Sequence, residues 1–238
     1  MGVILHLETT THQCAVALSK SGKLLANRCV RENGYSHAEK LQTFINEVFI
    51  ESKLEREVLS AVSVSGGPGS YTGLRIGVAT AKGLCHALGI PLISVDTLTV
   101  LAVQAMAKQP GFDAYVPMLD ARRMEVYSRC FDAGLNNASN IESIIVDDKR
   151  VFPWDGVDKI CFSGDGAVKC SEVLSGNNRV FIEDWPTAEA AIELASDKFN
   201  KGIFEDIALY EPTYLKEFIA GEAKDPLGLR GRIFNQTR

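Results

Sequence analysis

The chain has 238 residues, of which 46% are hydrophobic and 23% charged, and a net charge of −5. That is one large domain or two small ones, with enough apolar material for a real core. The acidic balance argues against duplex binding as the chain's own main task, because such affinity rests on Lys and Arg neutralising phosphates.

Val3 to Leu7 reads as a short buried strand. Cys14 to Leu18 and Lys23 to Val30 are further strands, joined by a hairpin turn at Ser21-Gly22. Ser36 and Glu39 have capping-box spacing for a helix over 36–50. On that helix Leu41, Phe44, Ile45, Val48 and Phe49 form an apolar face. Leu59 to Val64 is a buried strand that hands over to Ser65-Gly66-Gly67-Pro68-Gly69-Ser70 and then to a helix over 72–89. Leu74, Val78, Ala81, Cys85 and Leu88 form one stripe of that helix. Two rows of small residues, Gly73-Gly77-Ala81 and Ala79-Gly83-Ala87, recur every four positions. Interior glycine costs a helix about 1 kcal/mol relative to alanine, so another backbone is expected close by. Pro91 to Val95 is a strand, Thr97 to Ala107 an apolar helix, and Gln109-Pro110-Gly111 marks a boundary between domains at 1–108 and 109–238.

The second half repeats the plan. Tyr115 to Leu119 ends on Asp120 as the first strand ends on Glu8. Val126 to Phe131 and Ile141 to Val146 are the next strands. Lys159 to Phe162 runs into Ser163-Gly164-Asp165-Gly166, which a helix follows. Val180 to Ile182 is a strand. The last helix starts after Pro186-Thr187, with Ala188, Ala191, Ile192, Ala195 and Phe199 on one face and Gly202 at its end. A duplicated α/β unit is the economical account.

Local chemistry is sparse. The glycine turn fits neither G-x-x-x-x-G-K-[ST] nor G-x-G-x-x-G, since from Gly67 the third glycine position holds Thr72. As a strand-to-helix turn it could hold an anion, although tight packing explains the spacing as well. His6, His12, His37 and His86 include no pair at i, i+4, so no HxxxH or HExxH metal motif exists. Structural or surface roles are expected for them, with His37 the one of interest. No serine sits in a G-x-S-x-G elbow. Arg122 and Arg123 beside Asp120 read as a solvated turn with an Arg–carboxylate pair, or else as a phosphate contact. Cysteines at 14, 29, 85, 130, 161 and 170 include no CxxC and suit buried reduced thiols in a cytosolic protein. The longest uncharged run, Val58 to Leu74, has 17 residues but holds four Gly and a Pro, so no membrane span is expected there. The N-terminus lacks a basic n-region, so no secretory signal is expected. The tail from Arg230 to Arg238 is basic and reads as a terminus with a minor prospect of docking a partner or tRNA.

Gly67 to Leu84, GPGSYTGLRIGVATAKGL, resembles the signature of the TsaB (YeaZ) family. Leu7-Glu8-Thr9-Thr10, Asp120-Ala121-Arg122-Arg123-Met124-Glu125-Val126-Tyr127, Ser163 to Ala167 and Pro212-Thr213-Tyr214-Leu215-Lys216 resemble its other landmarks. Tyr71 stands where Phe is usual, Glu8 where Asp is usual and Thr43 where Pro is usual. The resemblance implies a two-domain, duplicated actin-like ATPase fold (ASKHA, RNase H-like) in the cytoplasm. It implies a non-catalytic partner of the TsaD-like threonylcarbamoyl transferase in tRNA t6A37 modification, with a TsaE-like ATPase as further partner. A homodimer is implied when the chain is alone, and tRNA is met only through the complex. No cofactor is implied for the chain by itself, and ATP or ADP is left for the complex interface. The expected partner surface is the outer face of the helices at 36–50 and 72–89. Its residues are His37, Leu41, Tyr71, Thr72, Gly73, Leu74, Arg75, Gly77 and Val78.

In the actin-like architecture the two strand-end acids of a working enzyme flank Mg–nucleotide. The alternative reading is therefore a stand-alone ATPase or kinase using Glu8 and Asp120. Thr9-Thr10-Thr11 argues against it, because a Cβ where phosphate must approach the backbone obstructs it. A metallopeptidase lacks its ligand set.

Overall fold

The computed structural model describes residues 2–32, 37–136, 138–147 and 151–216. The first lobe has a five-stranded sheet in the order β3-β2-β1-β4-β5. Its strands are β1 (Val3–Glu8), β2 (Gln13–Lys20), β3 (Lys23–Arg31), β4 (Leu59–Ser65) and β5 (Leu92–Val95). β1, β2 and β3 pair antiparallel, β2 and β3 through the turn at Ser21 and Gly22, both at positive φ, while β4 and β5 run parallel to β1. The helices α1 (His37–Ser52) and α2 (Tyr71–Leu88) cover one face. Leu41, Ile45, Val48, Val78, Ala81 and Cys85 interlock there with Leu5, Val16 and Val62. Ser36, expected to cap α1, lies outside the described residues.

The second sheet has the order β11-β10-β6-β7-β9. It comprises β6 (Ala114–Asp120), β7 (Glu125–Ser128), β9 (Glu142–Ile145), β10 (Ile160–Ser163) and β11 (Arg179–Ile182), with the two-residue β8 (Phe131–Asp132) on β6. Read from the other edge this is the first sheet's order, with β6 in the place of β1 and β10 in the place of β4. The strands at 3–8 and 114–120 thus lie at equivalent positions of two separate sheets, as the duplication requires. The copy is eroded on the helical side. After the turn at 163–166 comes a 3₁₀ turn at Val168–Cys170 and one helical turn, α4 (Ser171–Leu174), in place of the long α2. An aromatic stack of Phe152, Trp154, Phe162 and Phe181 fills that face.

One helix from each side of the expected 108/109 boundary packs on the other side's sheet. The helix α3 (Thr97–Lys108), capped by Asp96, lays Leu98, Leu101, Ala102 and Ala105 on Tyr115, Leu119 and Cys161 of the second sheet. The helix α5 (Ala191–Lys201) returns to the first sheet, with Ala191 and Ala195 against Ile4, Ala61 and Ile93. Each lobe is therefore closed by a helix that follows the other lobe's last strand. α3 is apolar nearly all round because it is covered on both sides. Among the described residues no helix is long and apolar enough to cross a membrane.

Candidate functional site

A cleft of about 510 Å³ opens where the two lobes face each other. One wall is the turn after β1 (Thr10, Thr11, His12) and the glycine turn into α2 (Pro68 to Thr72). The other is the turn after β6 (Asp120 to Arg122) with Tyr127 and Asp165, and Thr213 to Lys216 cross its edge.

On the first wall the residues that would receive a phosphate are occupied by the chain itself. Thr9 Oγ1 donates to the Gly73 carbonyl at 2.8 Å, Ser70 N–H donates to the Thr10 carbonyl at 2.6 Å, and His37 Nε2 lies 2.8 Å from the Thr11 carbonyl. The α2 glycines make this seating feasible. A Cβ on Gly73 would run into the Thr9 carbonyl, one on Gly77 into Thr9 Oγ1 and one on Gly69 into the Thr10 carbonyl. The neighbouring backbone that the glycine row calls for is thus the turn at 9–11 of the same chain.

Glu8 is fully buried and does not line the cleft. Its Oε1 accepts from the Thr10 N–H at 2.7 Å and from the Thr10 hydroxyl at 2.5 Å. Burial pushes its carboxyl up to about 7, with Ser65, Thr10 and Thr9 pulling the other way.

The second wall repeats the turn with different chemistry. Asp165 Oδ1 accepts the Asp120 N–H at 2.9 Å, and a Cβ on Gly166 would meet the backbone of Leu119 and Asp120. Burial raises the Asp165 carboxyl to about 6. Asp120 does face the cleft, but its Oδ1 accepts from Arg122 N–H at 2.8 Å and is held by the Lys169 ammonium. One strand-end acid is therefore inside the first lobe, and the other is neutralised by a cation of its own lobe. Glu8 and Asp120 are thus not brought together as two acids facing the cleft. Among the described residues no group of three or more His, Cys, Asp or Glu could hold a metal ion.

The expected partner residues divide sharply. His37, Leu41, Gly73, Leu74, Gly77 and Val78 are buried within the chain, so none of them lies on an outer face. Leu41 and Val78 belong to the core that α1 and α2 make with the sheet. Tyr71 is half-buried, while Thr72 and Arg75 are exposed, with Arg75 Nη1 3.2 Å from the Tyr71 hydroxyl. The outward face of α2 instead carries Thr72, Arg75, Ala79, Gly83 and Ala87, beside Gln42, Asn46 and Ile50 of α1. Gln42 Nε2 reaches Thr80 Oγ1 across the pair at 3.5 Å. The sequence signal for this face was the second small-residue row. Ala79-Gly83-Ala87 faces solvent, and a Cβ on Gly83 would meet nothing within 4 Å.

Comparison with known proteins agrees with this anatomy. The family described as "TsaD: tRNA N6-adenosine threonylcarbamoyltransferase" matches residues 31–217. The tRNA threonylcarbamoyladenosine biosynthesis protein TsaB of Escherichia coli K12 is 28% identical over 229 residues, covering 91% of this chain and 96% of that protein. TsaB of Bacillus subtilis 168 is 33% identical over 128 residues, covering 52% and 53% of the two chains. Among solved structures, YeaZ from Pseudomonas aeruginosa superposes with a TM-score of 0.79 at 26% identity, covering 90% of this chain and 100% of that one. With its mirrored sheets, exchanged helices and glycine-rich turn, the chain belongs to the TsaB (YeaZ) family of t6A biosynthesis proteins, within the TsaD-type family whose model it matches.

Proposed function

We propose that the chain is a non-catalytic activating subunit in tRNA N6-threonylcarbamoyladenosine synthesis. In this reading it pairs with a TsaD-like transferase, works with a TsaE-like ATPase and meets tRNA only through the complex. ATP or ADP belongs to the shared interface rather than to this chain's own cleft. The observation that carries the reading is the first wall of the cleft, where Glu8 is turned inward and Thr9 and Thr10 are seated on α2. A lobe built this way turns its strand-end acid away from the cleft and packs the turn that follows it against the glycine turn. The test is reconstitution. The chain alone should neither hydrolyse ATP nor form t6A, and it should raise t6A formation when added to the transferase and ATPase subunits. ATP turnover by the isolated chain that vanishes in Asp120→Ala would sink the proposal in favour of a stand-alone ATPase.

The partner surface in this reading is the outward face of α1 and α2. It is an exposed strip of small and uncharged residues flanked by Arg75, which permits the close approach of another helix. Gly83→Arg tests it without touching the core, since the position is open. Association with the partner, or with a second copy, should weaken at least tenfold by sedimentation, with a melt no lower than that of the native chain. Unaltered association would place the interface elsewhere.

A further inference from the structure

Pro212-Thr213-Tyr214-Leu215-Lys216 is a landmark to which neither the core nor the proposed partner face gives a task. It ends a strap that begins after α5. Glu205 N–H donates to the Leu92 carbonyl at 2.9 Å, which extends the edge of β5. Lys82 Nζ then holds the Ala208 and Tyr210 carbonyls at 3.3 and 3.1 Å, and the Tyr210 hydroxyl lies 2.7 Å from Ser94 Oγ. Thr213 N–H donates to the Gly66 carbonyl at 2.8 Å. The glycine turn is shaped around this passage. A Cβ on Gly66 would meet the Tyr210 hydroxyl, and one on Gly67, at φ 107°, would come within 2.8 Å of the Thr213 carbonyl. Beyond Thr213 the strap leaves the first lobe and enters the cleft. The Tyr214 ring packs 5.2 Å from that of Tyr71. The Lys216 ammonium pairs with Glu125 on β7 of the second lobe, 5.7 Å from the centre of the Tyr127 ring.

We propose that residues 205–216 form a latch across the cleft, anchored on the first lobe up to Thr213 and hooked to the second by Lys216. The two ends differ in strength. The anchor has two backbone hydrogen bonds, the two Lys82 contacts and the Tyr210–Ser94 hydroxyl pair on the first lobe, whereas the hook is one partly exposed ion pair and one ring contact. The tip therefore opens first, pivoting at Thr213 while the anchor stays in place. Tyr214 and Lys216 are themselves part of the cleft wall, so swinging the tip out widens the cleft. The latch thereby couples cleft entry to the spacing of the lobes, and this holds whichever partner the outward face of α1 and α2 binds.

Hydroxyl-radical footprinting of the full chain tests the latch through Tyr71 and Tyr127, the two rings beneath the tip. Glu125→Gln keeps the side chain's shape and breaks the ion pair, and Lys216→Met does so from the other side. Each should raise the oxidation of both rings up to about fivefold, the range that a partly exposed pair allows, with the thermal melt unchanged. The exchanged pair Glu125→Lys with Lys216→Glu should bring oxidation back toward that of the native chain. Unchanged oxidation in both single variants would overturn the latch. Failure of the exchanged pair to restore protection would overturn the ionic hook.

Discussion

Gly73→Ala is expected to destabilise the protein by roughly 2–3 kcal/mol, whereas Gly83→Ala, ten positions further along the same helix, should stabilise it by about 0.5–1 kcal/mol. Helix propensity alone favours alanine at both sites by about 1 kcal/mol. The sign is decided by what the new methyl group meets. At Gly83 it meets nothing within 4 Å, so the propensity gain and the stiffer unfolded chain prevail. At Gly73 it meets the Thr9 carbonyl, a buried backbone atom in the turn that directly follows β1. Relief requires either α2 to move off the sheet or the turn at 9–11 to lift. The second route also loses the Thr9 hydroxyl bond to the Gly73 carbonyl and disturbs the Thr11–His37 contact. Chemical denaturation of the two variants beside the native chain measures both signs. Equal effects at the two positions would mean that the turn is not seated on α2 as described.

Much of the fold was legible because its signals are local. The hairpin at Ser21-Gly22, the strand at 59–65, the stop of α5 at Gly202 and the acid at the end of each first strand are written in short stretches. The duplication was legible for the same reason, as it repeats in order along the chain. The exchange of α3 and α5 between lobes was not. An apolar helix announces that it will be buried, but periodicity does not say against which sheet. The outward surface of α2 carries a related ambiguity. Two small-residue rows run along one helix, and either could have faced outward. Gly73 and Gly77 face inward where Thr9 packs against them, a contact between residues more than sixty positions apart. Val78 follows them into the core. The cleft was half legible. Asp120 and the missing phosphate-turn glycine could be read directly, but the inward turn of Glu8 and the grip of Lys169 on Asp120 depend on tertiary placement.

The inward turn of Glu8 has a thermodynamic signature that Glu8→Gln should remove. The carboxyl rises from its ordinary 4.5 to about 7 in the folded chain because burial disfavours its charge. Between those two values the folded protein binds more protons here than the unfolded one does. Stability from this group therefore falls as pH rises through that window, and the penalty is fully present above pH 7. A displacement of this size corresponds to about 3 kcal/mol, an upper figure for so buried a group. Gln keeps the oxygen that accepts the Thr10 N–H and hydroxyl and carries no charge to desolvate. The variant should be more stable than the native chain at pH 8, by up to about 3 kcal/mol, with the difference shrinking to nearly nothing at pH 4.5. Asp165, raised to about 6 by burial, adds a slope of the same sign. The comparison is therefore the difference between variant and native chain at each pH, not the slope of either alone. Urea titrations from pH 4.5 to 8 supply it. A variant whose stability relative to the native chain does not rise between pH 4.5 and 8 would show that Glu8 is charged and well paired in the fold. That result would restore the first acid of the pair as a working carboxylate.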